Sequence, residues 1–309
     1  MLKEFDLIRG LVEASAGVST DDPRVRVGPG DDLAVLRPVS GELLAGVDQV
    51  LDGVHFDLPR LRAEGEDAMD LIARKAVNRN LSDVAAMAAL PLAVFAAVAL
   101  PRDLPQADAQ RLGQALDEAA ASADYPCRCL GGDISVWDGP LTVSVTVLAS
   151  ASGVEPVLRT GARPGDRLFV TGALGNTQRT QHHLRFTPRL KVARTLASDP
   201  ATRPAAMLDL SDGLGGDLAH LTPNALIQAA SLPLRGDATR RGALNDGEDH
   251  ELLFAVRPHV ELPSEVEGVP LAEIGVVTAE GGLRIQEGGR TRSFEQAGVA
   301  GWEHGVRRA

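Results

Sequence analysis

Apolar and polar positions along this chain follow two rhythms, one helical and one alternating, and the switches between them cut it into short elements. Leu2, Phe5, Ile8, Leu11 and Val12 recur at helical spacing and predict an amphipathic helix, ended by the turn signal DDPRV. Residues 33–36 and 43–47 are short, apolar and strand-like. Residues 67–78 read as a helix that falters at Asn78 and Asn80, with a second helix starting after Ser82 and Asp83, both good N-cap types. Residues 92–100 predict a strand, 105–122 an Ala-rich helix, and 141–148 a strand rich in Thr and Val.

Between Ser150 and Asp166 stand Gly153, Pro156, Gly161, Pro164 and Gly165, the strongest linker signal in the chain. We therefore expect two α+β domains, 1–150 and 151–309. The second repeats the scheme, with a strand at 167–171, a helix at 188–197, a strand ending at Asp209 and a helix from about Asp212. Strands at 250–256, 271–277 and 282–286 follow. NLSDVAAM and DLSDGLGGDL echo one another, each read as Ser-Asp before a helix start, which suggests two halves of related design.

Composition narrows the class. Hydrophobic residues make up 44% of the 309 and aromatics only 3%, so two cores are filled by Ala, Val and Leu. The longest apolar run, 84–100, is split by Pro91 and reads as helix then strand, not as a membrane span. The acidic N-terminus lacks the form of a signal peptide, and a cytoplasmic location is expected. Cys127 and Cys129 lie two apart in an expected strand, with Cα atoms roughly 6–7 Å apart, which disfavours a disulfide. Without a second pair at zinc spacing they read as inert small hydrophobes.

Chemistry enters through aspartates. They stand in GPGDD at 28–32, VDQV around Asp48, NLSD at 80–83, GGD at 131–133, DLSD at 209–212 and GED at 247–249, mostly among Gly, Ser or Asn. Carboxylates on several turns offer the oxygen donors that hard divalent cations require. The net charge of −11 argues against nucleic acid as a partner. It does not exclude a phosphate ester, provided metal ions stand between carboxylate and phosphate. Each motif has a plainer reading. An Asp before a helix is equally a cap, and Gly28, Gly30, Gly131 and Gly132 equally serve tight turns. What favours metal is number: adjacent carboxylates in GPGDD, and Asp209 with Asp212, exceed what one cap uses. Neither a GxxxxGK[ST] loop nor a GxGxxG after a strand is present, so nucleotide binding would use another solution.

GPGDDLAVL, DGVHF at 52–56, KAVNRNLSDVAAM at 75–87, GGD, RTGARPGDRLFVTGALG at 159–175, DLSDGL and GEDHELLF at 247–254 resemble, in order and spacing, the thiamine-monophosphate kinase family. That family belongs with aminoimidazole ribonucleotide synthetase, selenophosphate synthase and the hydrogenase-maturation dehydratase. The resemblance implies an α+β, two-domain aminoimidazole ribonucleotide synthetase-like fold, a homodimer paired through the N-terminal domains, and ATP and thiamine monophosphate as partners. Carried over by motif, Asp32, Asp48, Asp83, Asp133, Asp209 and Asp212 would hold several Mg²⁺ ions. Gly132, Asp133, Arg159 and Ser211 would contact ATP, and His55, Glu248 and Trp302 would lie toward the acceptor. Asp31 and Asp249 are further candidates.

The chemistry implied is direct in-line phosphoryl transfer. The attacking oxygen is already ionised, so neither a general base nor a covalent intermediate is needed. The obstacle is anion repulsion, about 4 kcal/mol per unit-charge pair at 4 Å and an effective dielectric near 20. Read without the resemblance, His55 is better taken as an ordinary strand histidine, and Arg159 and Arg163 are equally solvated surface charges; Gly161 gives Arg159 room to turn inward. Some positions depart from the family pattern. Gly46 and Val47 stand where hydroxyl residues are usual, the segments 175–188 and 222–246 are short, and Val299 with Trp302 following replaces an aromatic. Competing readings are another ATP-dependent enzyme of the superfamily with a different acceptor, or a nonenzymatic nucleotide- or metal-binding paralogue.

Overall fold

The computed structural model describes residues 22–28 and 33–301. The expected helix over 2–12, and Gly30, Asp31, Asp32 and Trp302, lie outside the described residues. The chain forms two compact units, one running to Val84 and from Ala89 to Gly153, the other comprising Ala85–Ala88 and Val154 onward.

In the first unit β1 (Val25–Val27) pairs antiparallel with β2 (Val35–Leu36). β3 (Leu43–Leu51) leads through α1 (Leu58–Ala63) and α2 (Ala68–Ala86) to β4 (Leu90–Pro101). Then come α3 (Gln106–Ala121), β5 (Arg128–Trp137) and β6 (Thr142–Ser150). The sheet runs β3-β6-β4-β5, with β4 and β5 parallel and the other pairs antiparallel. α3 buries Ala109, Leu112, Ala115, Leu116 and Ala120, the spacing of a single helical face.

Three expectations are corrected here. The helix expected to stop at Asn78 continues to Ala86, because Asn80, fully buried, donates its amide to the Ala76 carbonyl one turn back. Ser82 and Asp83 therefore lie inside a helix rather than capping one, and the proposed equivalence of NLSD with DLSD fails. Gly131 and Gly132 are not a turn but part of β5. A Cβ on Gly132 would stand 1.8 Å from the Ala96 carbonyl oxygen, so close approach of two strands is what requires glycine. Pro91 sits in β4 beside an irregularity in its pairing with β6, where a missing donor is tolerated.

In the second unit a sheet of order β14-β13-β9-β12-β7-β10-β8 carries the core, with β11 paired on β12. Its strands are β7 (Arg167–Thr171), β8 (Ala206–Asp209), β9 (Ala225–Gln228), β10 (Leu252–Val256), β11 (Glu265–Val266), β12 (Val269–Val277), β13 (Leu283–Glu287) and β14 (Arg290–Ser293). Its helices are α4 (His182–Arg185), α5 (Leu190–Ser198), α6 (Leu214–Leu221), α7 (Arg240–Asn245) and α8 (Phe294–Ala297). Every residue of β10 is buried, as a central strand covered on both faces should be. Leu168, Val170, Leu208, Leu218, Ile227 and Leu253 belong to the core. α6 begins at Leu214 with Gly213 as its cap, two residues later than expected, so Asp212 is not the cap.

Candidate functional site

The DLSD and GED segments lie together because β8 and β10 are antiparallel neighbours, with Leu252 opposite Asp209. Backbone bonds extend that pairing beyond the strands. The Leu210 N–H donates to the Glu251 carbonyl and the His250 N–H to the Leu210 carbonyl, both at 2.8 Å, and the Glu248 N–H to the Ser211 carbonyl at 2.7 Å. The turn is tight: Gly247, Glu248 and His250 have φ of 69°, 55° and 48°. For the two non-glycine residues this left-handed backbone stores about 1 kcal/mol or more each, the kind of strain found where side chains are aimed for function.

Around this pair of turns the unit concentrates charge. The Asp212 N–H donates to Asp217 Oδ2 at 2.9 Å. Burial, reinforced by the negative charge of Asp209 and Asp212, pushes the Asp217 carboxyl up to about 8. Neither Asp217 nor His250 was singled out by sequence; in GLGGDL an acid in a first helical turn looks ordinary. His250 places Nδ1 3.3 Å from Asp209 Oδ2 while its ring stacks on Phe186 at 4.0 Å. Glu248 accepts from Gln178 Nε2 at 2.8 Å.

Asp249 is turned inward as an anchor. Its Oδ1 accepts the Gly175 N–H at 2.9 Å and Arg235 Nη1 at 2.6 Å, and burial pushes it up to about 7 against the pull of that guanidinium. Beside it, burial and Arg235 lower His182 to about 4. Glu251 accepts from Arg189 Nε and Nη2 at 2.7 and 2.5 Å and from the Thr171 hydroxyl at 2.6 Å. Arg159 is exposed. Gly161 has a packing reason of its own, since a Cβ there would meet the Ala205 carbonyl at 2.4 Å. The loop is fastened through buried Asp166, which accepts from the Arg163 N–H at 2.7 Å and Arg257 Nη1 at 2.6 Å.

In the first unit the register separates Asp48 from Asp133. Asp48, Val145, Ala96 and Gly132 form one row across the sheet, and Gln49, Ser144, Ala97 and Asp133 the next. Adjacent rows point to opposite faces, and β3 and β5 are opposite edges about 14 Å apart at the usual strand spacing. One ion cannot bridge the two carboxylates within a single chain. Asp48 faces Arg79 of α2, while Asp83, exposed, lies one turn further along that helix. The His55 turn is built by hydrogen bonds: the Leu51 N–H donates to His55 Nδ1 at 3.1 Å, and buried Lys75 donates Nζ to the His55 carbonyl at 2.6 Å. With Nδ1 accepting, the neutral ring carries its proton on Nε2. Burial raises the thiols of Cys127 and Cys129 to about 12 and 11, which keeps them inert. Among the described residues no group of three His, Cys, Asp or Glu is placed to hold one metal ion, and no helix is long and apolar enough to cross a membrane.

Comparison with known proteins agrees with these motifs. Residues 30–151 match the family described as AIR synthase related protein, N-terminal domain. The chain is 36% identical to a thiamine-monophosphate kinase of Rhodopirellula baltica over 92% of each chain. It is 33% identical to the Escherichia coli enzyme of that name, covering 90% of this chain and 91% of that one. A crystal structure of thiamine-monophosphate kinase from Stenotrophomonas maltophilia superposes with a TM-score of 0.75 at 26% identity, covering 89% and 95% of the two chains. A structure of AaThiL complexed with AMPPCP and TMP superposes at 0.68 and 26% identity over 94% and 96%. The Escherichia coli hydrogenase maturation protein HypE, 20% identical with a TM-score of 0.70, shares the α+β AIR synthase-like fold. With identity above 30% over nine-tenths of its length to proteins of that name, the chain belongs to the thiamine-monophosphate kinase family.

Proposed function

We propose that this protein phosphorylates thiamine monophosphate to thiamine diphosphate with ATP as donor. A phosphate oxygen of the acceptor forms a bond to the γ-phosphorus, the bond from that phosphorus to the β–γ bridging oxygen breaks, and ADP leaves with the electron pair. The observation that carries this reading is identity of 36% along 92% of the chain with a thiamine-monophosphate kinase. The backbone-zipped DLSD and GED turns support it, because they hold a polar, carboxylate-rich edge rigid.

The residues of the second unit fit a hard divalent ion. Asp209 and Asp212 are oxygen donors on one turn whose negative charge adds to burial in raising Asp217, and a cation would offset that charge. We assign Asp32, Asp83, Asp133, Asp209 and Asp212 as ligands of several Mg²⁺ ions. Bound Mg²⁺ supplies the charge neutralisation that brings two anions together and stabilises the transferred group. Ser211, Gly132, Asp133 and Arg159 are assigned to ATP. His55, whose Nε2–H is a donor suited to a phosphate oxygen, is assigned with Glu248 and Trp302 to the acceptor. No side chain is needed as general base, since the attacking oxygen is ionised at neutral pH.

A second copy of the chain is the proposed partner of the first unit, domain 1–150 in the sequence reading. Leu43 and Val47, 63% and 64% exposed, share an open face of the sheet with Trp137, 42% exposed, an apolar surface suited to another copy. A cytoplasmic location accords with two unpaired thiols. The test is purified protein with Mg²⁺, ATP and thiamine monophosphate, the products separated by chromatography. Thiamine diphosphate is expected. ATP consumption only with another acceptor, or nucleotide binding without turnover, would overturn the assignment.

A further inference from the structure

A permanent cation already faces Asp48. Arg79 brings Nη2 to 3.7 Å from Asp48 Oδ1, with the two side chains only 16% and 29% exposed. Arg79 Nε and Nη1 are buried and have no hydrogen-bond partner among the described residues. Leaving two donors of a charged group unpaired costs free energy, so hydrogen bonding does not explain why the guanidinium is held there. Its charge does. Asp83 follows four residues later on the same helix, and residues at that spacing share a face. One permanent positive charge thus stands near two carboxylates.

The surroundings of Asp48 suit a metal poorly. Gly46 and Val47, which precede it, contribute no side-chain oxygen, and strand alternation sends Val47 to the open face. Mg²⁺ takes six oxygen ligands at 2.0–2.1 Å. An ion on Asp48 Oδ1 would lie within about 6 Å of Arg79 Nη2, given that ligand distance, and like charges so close in a half-buried setting repel. Arginine does not lose its proton to make way.

We infer that Asp48 binds no Mg²⁺ in this protein, and that the Arg79 guanidinium supplies from within the chain the positive charge an ion would otherwise bring to that carboxylate. The inference rests on the proposed function, in which the remaining carboxylates hold the metal–nucleotide complex. Its consequence is a smaller divalent-ion requirement, with part of the charge fixed rather than exchangeable.

The experiment counts Mn²⁺ bound per full-length chain by electron paramagnetic resonance with saturating AMPPCP, for the wild type, Asp48→Asn, Arg79→Lys, Arg79→Met and Asp212→Asn. Asp48→Asn is expected to leave the count unchanged, and Arg79→Lys, which keeps the charge, to match the wild type. Arg79→Met is expected to need about tenfold more Mn²⁺ for the same analogue occupancy, the scale of one charged interaction. Loss of one ion in Asp48→Asn with analogue binding retained overturns the inference alone. So does an unchanged Mn²⁺ requirement in an Arg79→Met protein whose melting temperature shows it folded. If neither the wild type nor Asp212→Asn binds the analogue in a Mn²⁺-dependent way, the functional reading fails and the inference falls with it.

Discussion

The carboxylate of Asp217 accepts the backbone N–H of Asp212 across 2.9 Å, so a buried acid inside a helix fixes the turn that carries two proposed metal ligands. Its carboxyl is pushed up to about 8 by burial, and this sets the sign of a pH effect. A carboxyl whose folded pKa exceeds its unfolded one favours the folded state fully below about pH 4, and that contribution fades as pH rises toward 8. In metal-free, nucleotide-free protein the melting temperature should therefore fall between pH 5 and 8. Asp217→Asn keeps an oxygen for the Asp212 N–H and carries no charge, so its melting curve should depend less on pH and lie above the wild type at pH 8. Parallel slopes for the two proteins would sink this account.

Glu251 is nearly inaccessible and receives two bonds from Arg189 and one from Thr171. Removing Arg189 leaves Glu251 charged, with the Thr171 hydroxyl and the more distant Arg235 Nη2, 3.9 Å away, beside it, and losing the main partner of a buried ion costs up to roughly 3–5 kcal/mol. Arg189→Met should lose stability on that scale in urea denaturation, whereas Arg189→Met combined with Glu251→Met should lose much less. Equal losses in both would mean that packing, not charge, dominates there.

The family was legible in the sequence because its motifs are short stretches that keep their order and spacing along the chain whatever the fold does with them. Strands such as β6 were legible from alternation. What stayed hidden depends on partners far along the chain. Asn78, Asn80 and Asp83 disfavour a helix by propensity, yet burial and the bond from Asn80 to Ala76 carry α2 through them. Gly132 looked like a turn residue because the strand it touches, at Ala96, is not its sequence neighbour. Arg79 carries no signal of its own in the sequence, because Asp48, the carboxylate it faces, stands on a strand that is not its sequence neighbour.

Gly132 separates structure from chemistry. Gly132→Ala drives a methyl group against the Ala96 carbonyl oxygen, and two paired strands must part to admit it. Soluble yield or melting temperature should drop sharply, with nucleotide binding lost as a consequence. Asp133→Asn, the next residue and exposed, should melt within about 1 °C of the wild type, since exposed substitutions change stability little. Its loss should appear in Mg²⁺-dependent turnover alone. A well-folded Gly132→Ala protein would show that the strands can move apart cheaply.

Asp83 and Asp212 test the metal assignment in one unit each. Asp83 is exposed near the end of α2, so Asp83→Asn exchanges one polar surface group for another of the same shape. The bond from Asp212 to Asp217 is made by the Asp212 backbone amide, so Asp212→Asn leaves that bond in place. Both variants should keep the wild-type circular dichroism and melt within a few degrees of it. If their carboxylates carry Mg²⁺, thiamine diphosphate formation should fall at least about a hundredfold at millimolar Mg²⁺, with partial recovery as Mg²⁺ is raised. Near-normal rates in both would remove them from the ligand set, and a loss that no Mg²⁺ concentration relieves would assign them to the nucleotide instead.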